Sequence, residues 1–231
     1  MRITLGRWMM GLVFGLGLSG TALGQDEPAE PEAPEATEEA ELEDTVYVLM
    51  KTSEGDLTLA LNHEKAPISV ENFLKYAEDG AYDGTVFHRV ISTFMIQGGG
   101  FEPDGTKRET RAGIKNEWQN GLSNERYTIA RARLGGRADS ATNQFFINVA
   151  DNAFLDQPRD GAGYAVFGEV VEGFETVETI KEVPTGQKQV RGGAMSDWPI
   201  APVVIEEVRR LTEEEEAALV KRLEEGASSG G

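Results

Sequence analysis

Hydrophobic and polar residues alternate in short runs over most of residues 46–211, which is the pattern of β-strands with one buried face. The first two runs flank the turn-forming stretch 52–55, and together they predict a β-hairpin. The predicted strands are residues 46–50, 55–61, 86–91, 94–97, 127–132, 144–149, 164–167 and 203–208. Many short strands separated by Gly, Asn and Asp favour a closed antiparallel barrel over a sheet of βαβ units.

Apolar residues recur at the spacing of one helix face in two segments. The first segment lies between Pro67 and Gly80, and the second is stopped by Pro184, which are residue types typical of helix ends. The apolar positions are Val70, Phe73, Leu74 and Ala77 in the first segment and Phe174, Val177 and Ile180 in the second. We therefore expect a mainly β domain with two α-helices.

The N-terminus has the pattern of a secretory signal peptide. Two arginines accompany an apolar run at residues 8–18, and the small residues Ala22 and Gly24 form a cleavage site, so the mature chain would begin at Gln25. An uncleaved membrane anchor is the alternative, but this run is short for a span of about 20 residues. No cysteine follows the cleavage site, which argues against a lipid anchor. We expect residues 1–24 to be removed and the protein to be exported, with no membrane attachment afterwards.

Acidic residues are concentrated at the two ends of the expected mature chain. The formal charge is −18, and residues 25–45 hold ten acidic residues and no basic one. Low hydrophobicity combined with charge of one sign predicts a disordered linker there. Near the other end, Thr212 followed three residues later by Glu215 forms a capping box. Residues 212–231 are therefore expected to form a short acidic helix that ends at Gly226, followed by a flexible tail.

Composition excludes several classes of function. The chain has no cysteine, which rules out disulfides, thiol nucleophiles and cysteine-based zinc sites. It has two histidines, His63 and His88, too few for a histidine-rich metal site. No basic face is evident, and nucleic-acid binding requires one. We expect a single domain at residues 46–211 that needs neither a metal nor a cofactor.

An arginine among apolar residues marks the first candidate functional segment, residues 87–99. Strand alternation places Phe87, Arg89 and Ile91 on one side, with His88 on the other. An unpartnered buried guanidinium is costly, so two interpretations are open. Arg89 extends to solvent from a sheet edge, or a neighbour such as Gln97 holds it in place by hydrogen bonding. We expect His88 to be a hydrogen-bonded structural residue.

A second candidate segment, residues 144–156, adds an apolar surface. Phe145 and Ile147 alternate with a more polar set and are predicted to lie in the core. Gln144 and Phe146 would then line a surface cleft that residues 154–155 extend. An apolar concavity with a few convergent polar groups is typical of a ligand site.

These segments, together with residues 164–168, resemble the signature of the cyclophilin family, and residues 46–211 are similar to its small bacterial, periplasmic-type members. The resemblance implies a closed eight-stranded antiparallel barrel capped by two helices, and peptidyl-prolyl cis–trans isomerase activity. It favours the periplasm over full secretion, and it implies action on proline-containing, unfolded or newly exported polypeptides. We expect the protein to be a monomer. Arg89 matches the family's catalytic arginine. The implied substrate-binding residues are Phe94, Met95, Phe146 and Leu155 around the proline, Gln97 and Gln144 beside the arginine, Ala132 and Arg133 through their backbone, and Phe154 and Tyr164 at the rim.

The chain departs from the family pattern at a few of these positions. Phe154 stands where many members have tryptophan, which removes a ring N–H donor and predicts weak cyclosporin binding. Tyr164 stands where those members have histidine. Gly100 replaces a residue that is commonly acidic, and the loop 134–139 is slightly longer and carries its own arginine.

Rotation about an Xaa–Pro bond breaks no bond, so it needs no nucleophile, base or metal. Its barrier of roughly 18–20 kcal/mol comes from amide conjugation. As conjugation is lost, the proline nitrogen regains a lone pair, which Arg89 would bind better than it binds the planar amide. The rival hypothesis is a chaperone or scaffold that holds proline-containing segments without catalysis as its purpose.

Overall fold

The computed structural model describes residues 43–229, in which nine strands form one curled antiparallel sheet and two more form a separate ribbon. The strands are β1 Thr45–Thr52, β2 Gly55–Asn62, β3 Thr85–Val86, β4 Arg89–Ile91, β5 Met95–Gly98, β6 Thr128–Arg131, β7 Phe145–Asn148, β8 Val166–Glu172, β9 Thr185–Val190, β10 Gly193–Pro199 and β11 Val204–Arg210. The order in the large sheet is β3-β11-β1-β2-β8-β6-β7-β5-β4, and the ribbon pairs β9 with β10. The predicted mainly β class is confirmed.

The two edge strands of the large sheet, β3 and β4, are consecutive in the chain and are joined by Phe87 and His88. The Phe87 amide donates to the Val203 carbonyl at 3.0 Å, and the His88 amide donates to the Gln97 carbonyl at 2.9 Å. These two bonds attach the connecting residues to the β11 side and to β5, respectively, and no ladder pairs β3 with β4. The predicted antiparallel barrel is therefore correct in outline, but its closure was overstated, and the sheet has nine strands instead of the predicted eight.

The two predicted helices are present as α1 Pro67–Glu78 and α2 Phe174–Lys181. The predicted apolar face of α1 is buried against the sheet. No side chain within α1 caps its first turn. Instead, the carboxylate of Glu117 accepts hydrogen bonds from the amides of Ile68 (3.0 Å) and Ser69 (2.8 Å). This carboxylate satisfies amides that have no partner inside the helix and complements the helix dipole.

The main core fills the space between the curled sheet and helices α1 and α2, and it contains Phe145 and Ile147 as predicted. The predicted alternation around Arg89 is wrong. Phe87 lies in this core together with Val90, so Phe87 and Arg89 do not share a face. The reason is the break between β3 and β4. There the chain stops pairing with β11 and begins to pair with β5, so the alternation of side chains starts again.

A third helix, α3 Glu213–Ser229, follows the last strand. The predicted capping box is confirmed, because the Thr212 amide donates to Glu215 Oε2 at 2.9 Å and the Glu215 amide donates to Thr212 Oγ1 at 3.3 Å. The helix continues through Gly226, so the predicted end there is wrong; one glycine costs a helix only about 1 kcal/mol. The expected signal peptide and most of the linker at 25–45 lie outside the described residues. Within residues 43–229, no helix is both long and apolar enough to span a membrane.

Candidate functional site

A second hydrophobic cluster lies apart from the main core, on the other side of strands β5–β8, and we call it the apolar site cluster. Its buried members are Met95, Ala130, Phe146, Leu155 and Val166, and its partly exposed members are Ile91, Phe94, Leu122, Ala132 and Tyr164. Phe146 belongs to it because its neighbours on β7, Phe145 and Ile147, point into the main core. The alternation predicted for residues 144–148 thus separates core from site.

One cross-strand row connects this cluster to Arg89. In the ladder register, Arg89 lies opposite Gln97, Gln97 opposite Phe146, and Phe146 opposite Ala130. Directly opposed residues of an antiparallel sheet share a face and lie close together. The sheet therefore presents a cation, an amide and an aromatic ring side by side on one surface.

Arg89 lies on the edge strand β4, with 38% of its side chain exposed. Gln97 does not hydrogen-bond to it, so of the two interpretations left open by the sequence the structure supports an arginine at the sheet edge. The Gln97 side-chain amide instead donates to Gln144 Oε1 at 2.9 Å, which links β5 to the segment before β7. Among the described residues, the acidic group nearest to Arg89 is the carboxylate of Asp197 on β10, whose Oδ2 lies 3.8 Å from Arg89 Nε.

Phe94 and Phe154 stack at one end of the cluster, with ring centroids 5.6 Å apart. Phe154 is 43% exposed, whereas its neighbour Leu155 is buried in the cluster. The turn that carries both is fixed by Asn152, whose side-chain amide donates to the Phe94 carbonyl at 2.8 Å and to Asn148 Oδ1 at 2.7 Å.

Asn152 is one of three buried asparagines that the sequence did not identify as part of the site. Asn148 donates to Asn124 Oδ1 (3.1 Å), and Asn124 donates to Asp156 Oδ1 (2.7 Å) and to the Tyr164 carbonyl (3.1 Å). This network joins the segments that carry Phe94, Leu155 and Tyr164. Asn148 and Asn152 lie inside the 144–156 segment, where asparagine is a residue type that usually indicates a turn, and nothing in the sequence links them to Asn124.

Tyr164 and Arg133 form the opposite rim. The Tyr164 ring meets Phe146 edge-on at 5.8 Å, and the Arg133 guanidinium lies 4.5 Å from the Tyr164 ring centroid. The Arg133 side chain is 2% exposed, so it faces the protein. The Ala132 amide donates to the Gln144 carbonyl at 3.1 Å, which leaves that N–H unavailable to a ligand.

A cavity of about 360 Å³ adjoins this rim, and Gln97, Ala132 and Gln144 line it on the side of the cluster. Its outer wall includes Lys107 and the arginine of the loop 134–139, Arg137. A larger cavity of about 530 Å³ lies beneath Leu223 of α3, but no arginine or lysine lines it. The smaller cavity is therefore the one that lies next to Gln97 and Gln144 of the candidate site.

His88 is fully buried behind Arg89, between the rings of Phe101 (4.8 Å between centroids) and Trp198 (5.9 Å). Neither ring nitrogen has a hydrogen-bond partner of normal geometry among the described residues, so the predicted hydrogen-bonded histidine is structural but not bonded. Burial lowers the pKa of His88 to about 4, although the Val86 backbone and the Gln144 side chain favour the charged form. The ring is therefore neutral near pH 7.

Metal ligands are not clustered in the described part of the chain, where no three His, Asp or Glu side chains could hold one ion together. The polar groups beside the apolar site cluster are guanidinium and amide donors. Such an arrangement can bind an apolar ring and place a positive charge beside it.

Comparison with known proteins identifies relatives over the whole of this domain. Residues 47–210 match the family model described as cyclophilin type peptidyl-prolyl cis-trans isomerase/CLD. Peptidyl-prolyl cis-trans isomerase cyp18 of Streptomyces antibioticus is 53% identical over 167 residues, which cover 71% of this chain and 98% of that protein. Peptidyl-prolyl cis-trans isomerase B of Escherichia coli is 49% identical over 164 residues, covering 70% and 97%.

A solved structure is also similar to this chain. It is a cyclophilin type peptidyl-prolyl cis-trans isomerase of Cryptosporidium parvum, crystallised in the presence of the dipeptide Ala-Pro. The TM-score is 0.61 at 27% identity, and the match covers 72% of this chain and 99% of that one.

Proposed function

The chain belongs to the family of cyclophilin-type peptidyl-prolyl cis–trans isomerases, and we propose that residues 46–211 accelerate rotation about Xaa–Pro bonds with Arg89 as the catalytic residue. The observation that carries this proposal is the cross-strand row that places Arg89 beside Gln97 and Phe146. A proline ring held on Phe146 would then lie on the same face of the sheet as the guanidinium, two strands away from β4.

Catalysis follows from the change in the amide during rotation. The planar Xaa–Pro amide has little basicity at nitrogen, whereas the twisted amide carries a localised lone pair there. A hydrogen bond from Arg89 is therefore stronger in the transition state than in the ground state, which is the condition for rate acceleration. A hydrogen bond to a charged group contributes roughly 1.5–3 kcal/mol. Binding of the ring and of the flanking backbone supplies the rest through positioning.

The apolar site cluster is assigned to the proline ring. Phe94, Met95, Phe146 and Leu155 form its walls, and the burial of the last three supplies a dry environment in which the guanidinium acts more strongly. Gln97 and Gln144 hold each other beside the arginine and present amide groups to the substrate backbone.

The rim is assigned to the residues that flank the proline. The Ala132 amide is already bonded to Gln144, so the Ala132 carbonyl and the Arg133 backbone are the groups assigned to substrate pairing. Phe154 and Tyr164 form the two ends of the cleft through their contacts with Phe94 and Phe146.

The cellular context that we propose is an exported one. The basic and apolar pattern of residues 1–24 supports removal of a signal peptide, and the acidic composition of 25–45 supports a linker between that cleavage site and the domain. The substrates would then be proline-containing polypeptides that are unfolded after export.

A protease-coupled assay with a prolyl test peptide tests the catalytic proposal. We expect Arg89→Ala to lower kcat/KM by at least about tenfold, since one charged hydrogen bond of the stated strength accounts for that factor. Arg111→Ala is the matched control, because Arg111 is a comparably exposed arginine paired with Asp79 away from the site.

Two outcomes would contradict the proposal. Wild-type turnover by Arg89→Ala would remove the catalytic role of Arg89. Undetectable turnover by the unmodified protein, with peptide binding intact in an NMR titration, would instead favour the chaperone or scaffold hypothesis.

A further inference from the structure

The β9–β10 ribbon packs against the strand that carries Arg89. Trp198 on β10 is 3% exposed and contacts both His88 and Phe101. His88 and Trp198 are the chain neighbours of Arg89 and Asp197, respectively. The packing of His88 against Trp198 therefore holds Arg89 and Asp197 together at the surface.

The backbone at Asp197 has an unusual conformation. Its φ angle is +62°, in the left-handed region, and it lies where the pairing of β10 with β9 shifts register between Met195 and Trp198. A bulge of this kind re-aims a side chain relative to the regular strand. Non-glycine residues with positive φ are uncommon, and those that persist are frequently found at functional sites.

The side chain that the bulge directs is acidic and faces Arg89. Among residues 43–229, Asp197 is the one acidic residue with an oxygen within 4.0 Å of the Arg89 guanidinium. The closest atoms are Oδ2 and Nε, at 3.8 Å, which is an ion-pair distance beyond that of a direct hydrogen bond. Gln97, the other polar neighbour, donates to Gln144 instead.

Stability is a weak explanation for this pair. The Arg89 and Asp197 side chains are 38% and 40% exposed, and exposed ion pairs contribute little to folding. Orientation is a stronger one, because an arginine side chain has four rotatable bonds, and a carboxylate near Nε restricts them. The two terminal nitrogens of the guanidinium then remain available for the substrate.

We propose that Asp197 is a positioning residue that orients the Arg89 guanidinium for catalysis, and this inference rests on the proposed function of Arg89. The distance of 3.8 Å would shorten when substrate excludes water, since catalytic contacts are often long in a ligand-free enzyme and tighten in the complex. The β9–β10 ribbon thereby becomes part of the catalytic machinery.

The test is Asp197→Asn, which removes the charge and keeps a residue type that tolerates positive φ. We expect kcat/KM in the protease-coupled assay to fall about tenfold, equivalent to about 1.4 kcal/mol in the barrier. We expect the Kd of a prolyl peptide, measured by NMR titration, to change by less than about twofold, because the peptide is held by the apolar site cluster. Asp197→Gly, which also relaxes the backbone, should show the same loss.

The matched control is Glu207→Gln. Glu207 pairs with Lys51 at 2.7 Å, and the two side chains are 39% and 40% exposed, so this variant removes a carboxylate of similar exposure from another ion pair. Its kcat/KM should equal that of the wild type. If Asp197→Asn and Asp197→Gly also equal the wild type while Arg89→Ala is impaired, the inference about Asp197 is wrong and the proposed function stands.

A double variant separates positioning from a direct role. Arg89→Lys keeps a positive charge but lacks the planar group that Asp197 orients. In that background we expect Asp197→Asn to change kcat/KM by less than about twofold, because residues that act as a unit are not additive. A further tenfold loss would mean that Asp197 acts on the substrate independently, and it would overturn the inference.

Discussion

The guanidinium of Arg133 lies 4.5 Å from the centroid of the Tyr164 ring, and it ties the segment after β6 to the segment before β8. Its Nε donates to the Gly163 carbonyl at 3.1 Å, and Nη2 donates to the Ala162 carbonyl and pairs with Asp160 at 2.7 Å. The resemblance to cyclophilins implies that the backbone of Arg133 binds the substrate. The structure gives its side chain a separate role as the support of the Tyr164 rim.

Arg133→Leu is therefore expected to weaken peptide binding and to leave the domain folded. The side chain is 2% exposed, so leucine keeps apolar packing but loses both the ring contact and the hydrogen bonds to the loop. We expect the Kd of a prolyl peptide to rise about fivefold, which corresponds to the roughly 1 kcal/mol of a typical cation–π contact. NMR titration measures the Kd, and amide hydrogen exchange of residues 160–164 should accelerate. An unchanged Kd with faster exchange would show that the Tyr164 rim does not contribute to binding.

The burial of His88 predicts a dependence of stability on pH. The pKa is about 4 in the folded protein and about 6.5 in an unfolded chain. The unfolded chain binds more protons once the pH drops below about 7.5, so the free energy of unfolding falls as the pH falls toward 4, and this group contributes almost no slope above about pH 7.5. We expect a loss of about 2 kcal/mol between pH 7.5 and 5, since the slope approaches about 1.4 kcal/mol per pH unit between the two pKa values.

Urea unfolding at pH 7.5, 6.5, 5.5 and 5.0 measures this slope. His88→Leu keeps an apolar side chain between Phe101 and Trp198 and removes the titrating group, so its stability should be nearly constant over the same range. Equal slopes in the two proteins would show that another group is responsible.

Elements with a dense local pattern were predictable from the sequence. In α1 the apolar residues from Val70 to Ala77 recur at helical spacing, and they are the residues that the sheet buries. The capping box of Thr212 and Glu215 forms as expected because both of its bonds are local. In β7 the uninterrupted strand preserves alternation, so Phe146 is separated from the core as predicted.

Features that depend on distant packing were not predictable. Alternation fails at Phe87 because the chain changes partner there: the Phe87 amide donates to the Val203 carbonyl, which is remote in sequence, whereas the His88 amide donates to the Gln97 carbonyl on β5. The β9–β10 ribbon has little hydrophobic pattern, and its strand β9 alternates only between exposed and partly exposed positions. Its one local signal is the turn-forming pair Gly192 and Gly193. The contact of Asp197 with Arg89 depends on that ribbon, so the sequence did not predict it either.

Gly100 illustrates how a departure from the family pattern affects the site. A Cβ atom at this position would lie 2.5 Å from Gln144 Nε2 and 2.6 Å from both Cδ and Cγ of the same side chain. The glycine therefore leaves the space that the Gln144 side chain occupies when it accepts the hydrogen bond from Gln97. Its backbone lies outside the left-handed region, so alanine adds no backbone strain there.

Gly100→Ala should displace Gln144, break its 2.9 Å contact with Gln97 and lower kcat/KM about fivefold, the effect of losing one neutral hydrogen bond of roughly 1 kcal/mol. Gly226→Ala is the matched control, because Gly226 lies in α3, away from the site, and a Cβ there would meet no atom within 4 Å. Gln144→Ala should reproduce the loss, and combining it with Gly100→Ala should add nothing, since both changes remove the same contact. If Gly100→Ala retains full activity while Gln144→Ala is impaired, Gln144 adopts another position that still serves the site, and the space above Gly100 is not required.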